Sequence, residues 1–158
     1  MASKTVRERI LAQWQDNMRK LMSSNGQRAF ERVERAPLDR ADFTGEYACS
    51  VIDEGEGVAV YEVGFLEMDM VITIEVWARV KIGTEPSAKL NELIGMVTKR
   101  FLQDYNTIEN DTELQLTLNV KQGSLTFDID GVNDHYVAAY RQFALTYRTG
   151  KQDPYDLR

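Results

Sequence analysis

The sequence predicts an α+β fold: a mainly antiparallel (mixed) sheet with a long β-ribbon, packed against two main helices. Three observations predict it. From Leu66 to Ile82, residues Leu66, Met68, Met70, Ile72, Ile74, Val76, Ala78, Val80 and Ile82 fall on one face, with Glu67, Asp69, Thr73, Glu75, Arg79 and Lys81 opposite. That is the period of an extended strand. Two other segments, one beginning at Val6 and one at Leu90, repeat apolar residues at helical intervals instead. Shorter alternating runs near the C-terminal end supply the remaining strands.

Thr5 and Glu8 have the spacing of a capping box, and Val6, Ile10, Leu11, Trp14, Met18, Leu21 and Met22 form the stripe of an N-terminal helix assigned to 1–23. Ser23-Ser24-Asn25-Gly26 stops it. Residues 24–46 read as a connecting arm, because Phe30 and Val33 fit neither period and Pro37 pushes Ala36 towards an extended conformation. Tyr47 to Ile52 reads as a short strand that reverses through Glu54-Gly55-Glu56-Gly57 into Val58 to Phe65. Gly64 and Phe65 mark a bulge or bend before the long run, which ends at Gly83. Pro86 opens a helix over 86–105, with Leu90, Leu93, Ile94, Val97, Phe101, Leu102 and Tyr105 as its apolar stripe. Leu114 to Val120 and Leu125 to Ile129 flank Gln122-Gly123 as a second hairpin, and His135 to Arg148 is a final strand. The sheet and its helix thus occupy 47–148, a tail occupies 149–158, and 1–158 is expected to form one domain.

Composition narrows the function. With 43% hydrophobic and 28% charged residues the chain can bury a core. Its formal charge of -6 argues against general nucleic-acid binding, which needs a positive surface. The charge is uneven: Met1 to Arg40 holds nine Lys or Arg against five Asp or Glu, while Ala41 to Val80 holds one against nine. Such complementary segments either meet within one molecule or orient contact between copies. Cys49 is the single cysteine, so no internal disulfide forms and a reducing setting is expected. No run approaches the ~18 apolar residues of a membrane span, and the start lacks the apolar core of a signal peptide. A soluble chain follows.

No cofactor or metal is expected. His135 is the sole histidine, and no partners for a triad are evident around it. Cys49, between Ala48 and Val51 in a strand, reads as a small buried apolar group. Asp128, Asp130, Asn133 and Asp134 gather around Gly131, but the glycine is fourth where a calcium loop wants it sixth, and Ala139 holds the twelfth place. Glu54 with Glu56, and Glu67 with Asp69, are carboxylate pairs of the kind that divide acid and base work only when unequally buried. On an exposed strand they face water. No GxGxxG, GxxxxGK or GxSxG occurs. The basic set Arg7, Arg9, Arg19, Lys20, Arg28, Arg32, Arg35 and Arg40 is interleaved with Glu8, Asp16, Glu31 and Glu34, a solvated face more than a nucleic-acid stripe.

At about 3.3 Å per residue the run 66–82 would reach roughly 55 Å, against a diameter of roughly 40 Å for a compact chain of this size. The strand should overshoot its domain or bend. An overshooting strand has unpaired backbone that a second copy would cover.

The order of helix, arm (Glu34-Arg35-Ala36-Pro37-Leu38), ribbon and helix, ending in Phe143-Ala144-Leu145-Thr146-Tyr147-Arg148-Thr149 and Asp153-Pro154-Tyr155, resembles the tail terminator family of long-tailed bacteriophages and phage-like particles. The opening Thr5-Val6-Arg7-Glu8-Arg9-Ile10-Leu11 supports the likeness; Asp42-Phe43-Thr44 lacks a proline that the family often carries there. The resemblance implies a structural virion protein, not an enzyme, assembled in the host cytoplasm and placed at the head-tail junction. It implies a homo-oligomer, a ring usually of six, that caps the tail tube, stops its polymerisation and offers a surface to a head-side neck or connector protein. DNA would pass through the lumen without specific binding, helped by acidic walls that repel it. Glu67, Asp69, Glu75, Arg79, Tyr147, Arg148 and Asp153 are the candidate subunit or tail-tube contacts. Another neck or tail-completion protein, or a small α/β ligand-binding domain or enzyme, are the alternatives.

Overall fold

The computed structural model describes residues 4–38, 43–80, 85–133 and 136–158. The order is α1 (Val6–Arg19), β1 (Arg32–Glu34), β2 (Tyr47–Tyr61), β3 (Phe65–Arg79), α2 (Pro86–Gln103), β4 (Asn119–Asn133) and β5 (Tyr136–Gly150). The strands form one sheet in the order β1-β2-β3-β5-β4. Only β1 pairs in parallel; the other three pairings are antiparallel. The fold is α+β with a mixed sheet, as the patterning predicts.

α1 begins where Thr5 accepts a hydrogen bond from the backbone N–H of Glu8, 3.2 Å. The return half of the capping box is missing because Glu8 is engaged by Arg35. Both helices lie on the face of the sheet that carries Met70, Ile72, Ile74 and Val76. The contact between them is aromatic. Trp14 of α1 stacks on Phe101 of α2 (centroids 3.5 Å, 4° between planes), and Phe101 stacks on Phe143 of β5 (3.9 Å, 4°). The Trp14 indole N–H donates to Thr107 Oγ1 at 3.1 Å, so the ring is both packed and satisfied. Leu102 and Tyr105, counted in the α2 stripe from sequence, are instead exposed. Leu102 follows the core residue Phe101 on a different side of the helix, and Tyr105 lies beyond the end of the helix.

Both reversals expected at glycines, at Glu54-Gly55-Glu56-Gly57 and at Gln122-Gly123, are corrected. β2 runs straight through Glu54-Gly55-Glu56-Gly57, with Gly55 (φ 112°) absorbing a register shift between Asp53 and Gly55. The turn lies at Glu62-Val63-Gly64, where Glu62 N–H donates to Phe65 O and Gly64 takes φ 95°. β4 likewise continues through Gly123 with a shift between Gln122 and Leu125. A Cβ at Gly123 would sit 2.9 Å from the Gln142 side chain, so this glycine permits close approach of β4 to β5 without turning the chain. Glycine supplies the same conformational freedom to a bulge as to a turn, and only the length of the facing strand decides between them.

The long strand is also corrected. β3 occupies the middle of the sheet: every residue from Phe65 to Arg79 faces one of β5, and Leu66 to Ala78 face β2. It has no free margin. The far end of the predicted run, at Lys81 and Ile82, together with Gly83, Thr84, Asp42 and His135, lies outside the described residues.

Nor does the second face of β3 look onto water throughout. Thr73, Glu75 and Trp77 are buried there, under a small cluster of Leu38, Phe43, Ala48, Trp77, Tyr136 and Ala138. The connecting arm crosses this face. Ser50 Oγ donates to Ala36 O, the Leu38 N–H donates to Glu75 Oε2 (3.2 Å), and Tyr136 OH donates to the carbonyls of Phe43 and Gly45 (3.1 and 2.9 Å).

Phe101→Ala removes the middle ring of the stack that ties α1, α2 and β5 together. It is expected to destabilise the fold by about 3–5 kcal/mol in a denaturant titration.

Candidate functional site

At the distal end of the sheet, where β2, β3 and β5 outrun the helices, the N-terminus of α1 and the C-terminal segment close against the strands. Val6 N–H donates to Pro154 O (3.0 Å), Gly150 N–H to Asp156 O (2.9 Å), and Thr149 bridges to Leu157. Between them opens a crevice of about 390 Å³, walled by Thr5, Arg7, Glu56, Leu66, Met68, Tyr147 and the turn 149–154.

Its floor is a charged cluster. Arg7 donates through Nε to Asp53 Oδ2 (3.2 Å), contacts Asp53 Oδ1 through Nη2, and places Nη1 3.0 Å from Glu56 Oε2. Tyr147, almost fully buried, donates its hydroxyl to the same Glu56 oxygen at 2.5 Å. Burial opposes the charge of Asp53, yet hydrogen bonds from Arg7 and from the Gly55 backbone N–H hold its carboxyl below the ordinary value. Burial, followed by the hydrogen bond to Glu56, pushes the Tyr147 hydroxyl up, so it stays protonated. One cation thus faces two carboxylates and a neutral phenol. Basic N-terminal and acidic central residues meet here within a single molecule.

Two further pairs fix α1. Arg35 from the arm grips Glu8 with both terminal guanidinium nitrogens, Nη1 and Nη2 (2.9 and 3.2 Å). Arg9 grips Glu109 from the loop after α2 through Nε and Nη2 (2.9 and 2.7 Å). The hydrogen bonds from Arg35 and from Arg9 lower the Glu8 and Glu109 carboxyls respectively, against the opposing effect of burial.

The candidate contact residues separate into three places. Tyr147 and Asp153 line the crevice. Asp153 is tied into its turn, its carboxylate accepting from Tyr155 N–H and its carbonyl from Thr149 Oγ1 (both 2.9 Å). Glu67, Asp69 and Arg148 lie across β3 and β5 on the other sheet face. Arg148 donates to its cross-strand partner Glu67 at 3.0 Å and stacks over Phe65, while Thr146 donates to Asp69 at 2.6 Å. Glu75 and Arg79 are at the opposite end of β3. Glu75 is only 5% exposed and accepts from the Trp77 indole (2.8 Å) and the Leu38 N–H. It is therefore an anchor for the arm, corrected from its expected place on a solvent face. Arg79 remains exposed. Arg7, Asp53 and Glu56 were not singled out as a group from sequence. The only signal was the opposite charge of their segments, which names no partners.

Chemically, the cluster spends its charges on itself. Burial, with the charge of Glu75 adding to it, pushes the Cys49 thiol far up, which leaves it neutral. Among the described residues no three His, Cys, Asp or Glu side chains gather as metal ligands, and no helix is long and apolar enough to cross a membrane. Asp128 lies on β4; the side chains at 130–135 are outside the described residues.

Two measurements check these assignments. Because the Glu109 carboxyl is lowered on folding, its pairing with Arg9 stabilises fully above about pH 4.5 and is lost as pH falls below that. Glu109→Gln is therefore expected to cost about 1.5–3 kcal/mol at pH 7, with the gap to wild type narrowing in denaturation curves as pH is lowered progressively below about 4.5. Cys49 should react with a thiol reagent only as fast as the protein unfolds, and at full rate in denaturant.

No protein-family description and no curated protein matches this sequence. Among solved structures, the chain is similar to a sheath/tube terminator of an extracellular contractile injection system, seen by cryo-EM in its extended state. The TM-score is 0.47 at 8% identity, over 97% of this chain and 60% of that one. This chain therefore spans about three-fifths of the length of that neighbour.

Proposed function

We propose that this chain is a structural tail terminator. Copies form a ring, of six in the family that the sequence resembles, which seats on the end of a completed tail tube, blocks addition of further tube subunits and presents its other side to a head-side neck protein. The reading assigns no catalysis. DNA passes through the lumen without specific binding, since a chain of charge -6 gives it little to hold.

The observation that carries the reading is the pair of sheet margins at opposite sides of one molecule, on β4 and on β2 beyond Ser50, with which no further strand pairs among the described residues, a geometry suited to joining copies in a closed ring. The order of elements and the ending Tyr147-Arg148-Thr149 with Asp153-Pro154 support it. In the fold these last residues form the rim of the crevice and the end of β5, a surface where a tube or neck protein has access to the exposed side chains of the C-terminal turn.

The test is tube assembly with the cognate tube protein. Added during polymerisation, the chain is expected to stop growth at substoichiometric amounts, and a gold-labelled C-terminus should decorate one end of each tube in negative stain. Tubes that lengthen unchanged, or label spread along their sides, would overturn the assignment.

A further inference from the structure

β5 loses one neighbour before it ends. β4 begins at Asn119, opposite Thr146, and the residues before it turn away: Leu116 and Thr117 give their backbone N–H groups to the carbonyls of Thr107 and Asn106 instead. On its other flank β5 is paired with β3 as far as Gly150. Backbone groups along a strand point alternately to its two sides. Thr146 O accepts from Leu118 on the β4 side, so Gly150, four residues on, presents its N–H to that side as well. There it meets Asp156 O at 2.9 Å, and Thr149 bridges antiparallel to Leu157. The chain has folded back so that Asp156 and Leu157 stand where β4 has stopped, and a loop laid over a sheet edge keeps that edge from pairing elsewhere.

The segment 151–158 also fastens two other elements. Pro154 O accepts the Val6 N–H at the start of α1 (3.0 Å), and the Lys151 ammonium lies 4.3 Å from the centre of the Tyr61 ring at the end of β2. A Cβ at Gly150 would stand 3.0 Å from Asp156 Oδ2 and 3.1 Å from Asp153 O, so glycine is what lets the fold-back lie this close. Yet the hold is thin. Of the side chains in 151–158, Leu157 alone packs against the main core, while the Arg158–Asp156 pair and the bond from Tyr155 N–H to Asp153 lie within the segment itself. Space adjoins the turn in two places: it walls the crevice beside Tyr147 and, with Gly64 and Arg158, a second one of about 350 Å³. Ile72 and Ile74 of β3, by contrast, are fully buried and paired on both flanks. A segment with one apolar anchor and a few backbone bonds opens at a much lower free energy than such a core.

We infer that residues 151–158 are a strap that opens as a unit about Gly150 while the sheet and both helices stay folded. Closed, it walls the crevice and covers the end of β5. Open, it bares the edge at Thr149 and Gly150, takes away the acceptor of the Val6 N–H and exposes Leu66 and Met68 along the crevice. The first turn of α1 and the end of β5 thus gain or lose their partners together, although they lie at opposite ends of the sequence. The strap belongs to the single chain and stands apart from the terminator reading.

The experiment follows amide hydrogen exchange by NMR on the full chain at low denaturant concentrations. The Val6 and Gly150 amides are expected to share one opening equilibrium, about a hundredfold or more above that of Ile72 and Ile74 and insensitive to denaturant, whereas exchange at Ile72 and Ile74 rises steeply with it. Leu157→Ala removes the anchor and is expected to speed Val6 and Gly150 by the same factor, about tenfold, with the circular dichroism unchanged. Dilute hydrogen peroxide reads the crevice directly: Met68 on its wall is expected to oxidise faster in this variant, while the fully buried Met70 stays unoxidised over the same interval. Gly150→Ala, which pushes the strap away from the sheet, is expected to give the same rise at Val6 and Met68 and serves if Leu157→Ala does not fold. Val6 and Gly150 amides that exchange at the rate of Ile72 with the same denaturant slope overturn the inference. So does a Leu157→Ala protein in which Gly150 speeds and Val6 does not, or one in which Met68 oxidises at the wild-type rate.

Discussion

Hydrogen bonding along both sides of β3 is the constraint that organises this molecule. Fifteen residues that carry the strongest strand signal in the sequence are satisfied by β2 on one flank and β5 on the other. A strand so placed has no backbone to offer a partner. It also forces its neighbours to match its length, which is why β2 and β5 each extend to fifteen residues and why glycines that look like turns become bulges. Among the described residues, the sheet backbone that no strand pairs with lies outward, on β4 and on β2 beyond Ser50.

The two faces of the sheet are finished differently. On one, both helices bury a continuous apolar core, with the Trp14–Phe101–Phe143 stack joining three elements distant in sequence. On the other, cover is partial. The arm shields the end of β3 near Glu75 and Trp77 and leaves the end near Glu67 and Asp69 to cross-strand polar pairs. Glu75 illustrates the economy of this arrangement: a buried carboxylate accepting from an indole and a backbone N–H holds down the arm at Leu38. Ion pairs from Arg7, Arg9 and Arg35 then fasten α1 to the hairpin, the α2 loop and the arm. The uneven charge along the sequence is thus partly consumed inside the molecule. The surplus acid on the β2–β3 hairpin is what is left to face outward.

From the sequence by itself followed the α+β class, both helices to within a few residues, the extended character of β3 and β5, and the apolar face of β3, because each depends on a local period that neighbouring side chains impose on their own backbone. Tyr147 and Asp153 were legible as residues of interest, but not as walls of one crevice with Arg7 and Glu56. Only the tertiary structure decided which strand lies in the middle, whether Gly55 and Gly123 turn or bulge, and whether Glu75 meets water or the arm. Each of these turns on what another part of the chain sets beside a residue, Val71 opposite Gly55, Gln142 against Gly123 and Leu38 on Glu75, and strand pairing leaves no mark on the alternation of the strand that is paired. An edge strand and a central strand are written in the same period of two, and the difference between them is carried wholly by their neighbours.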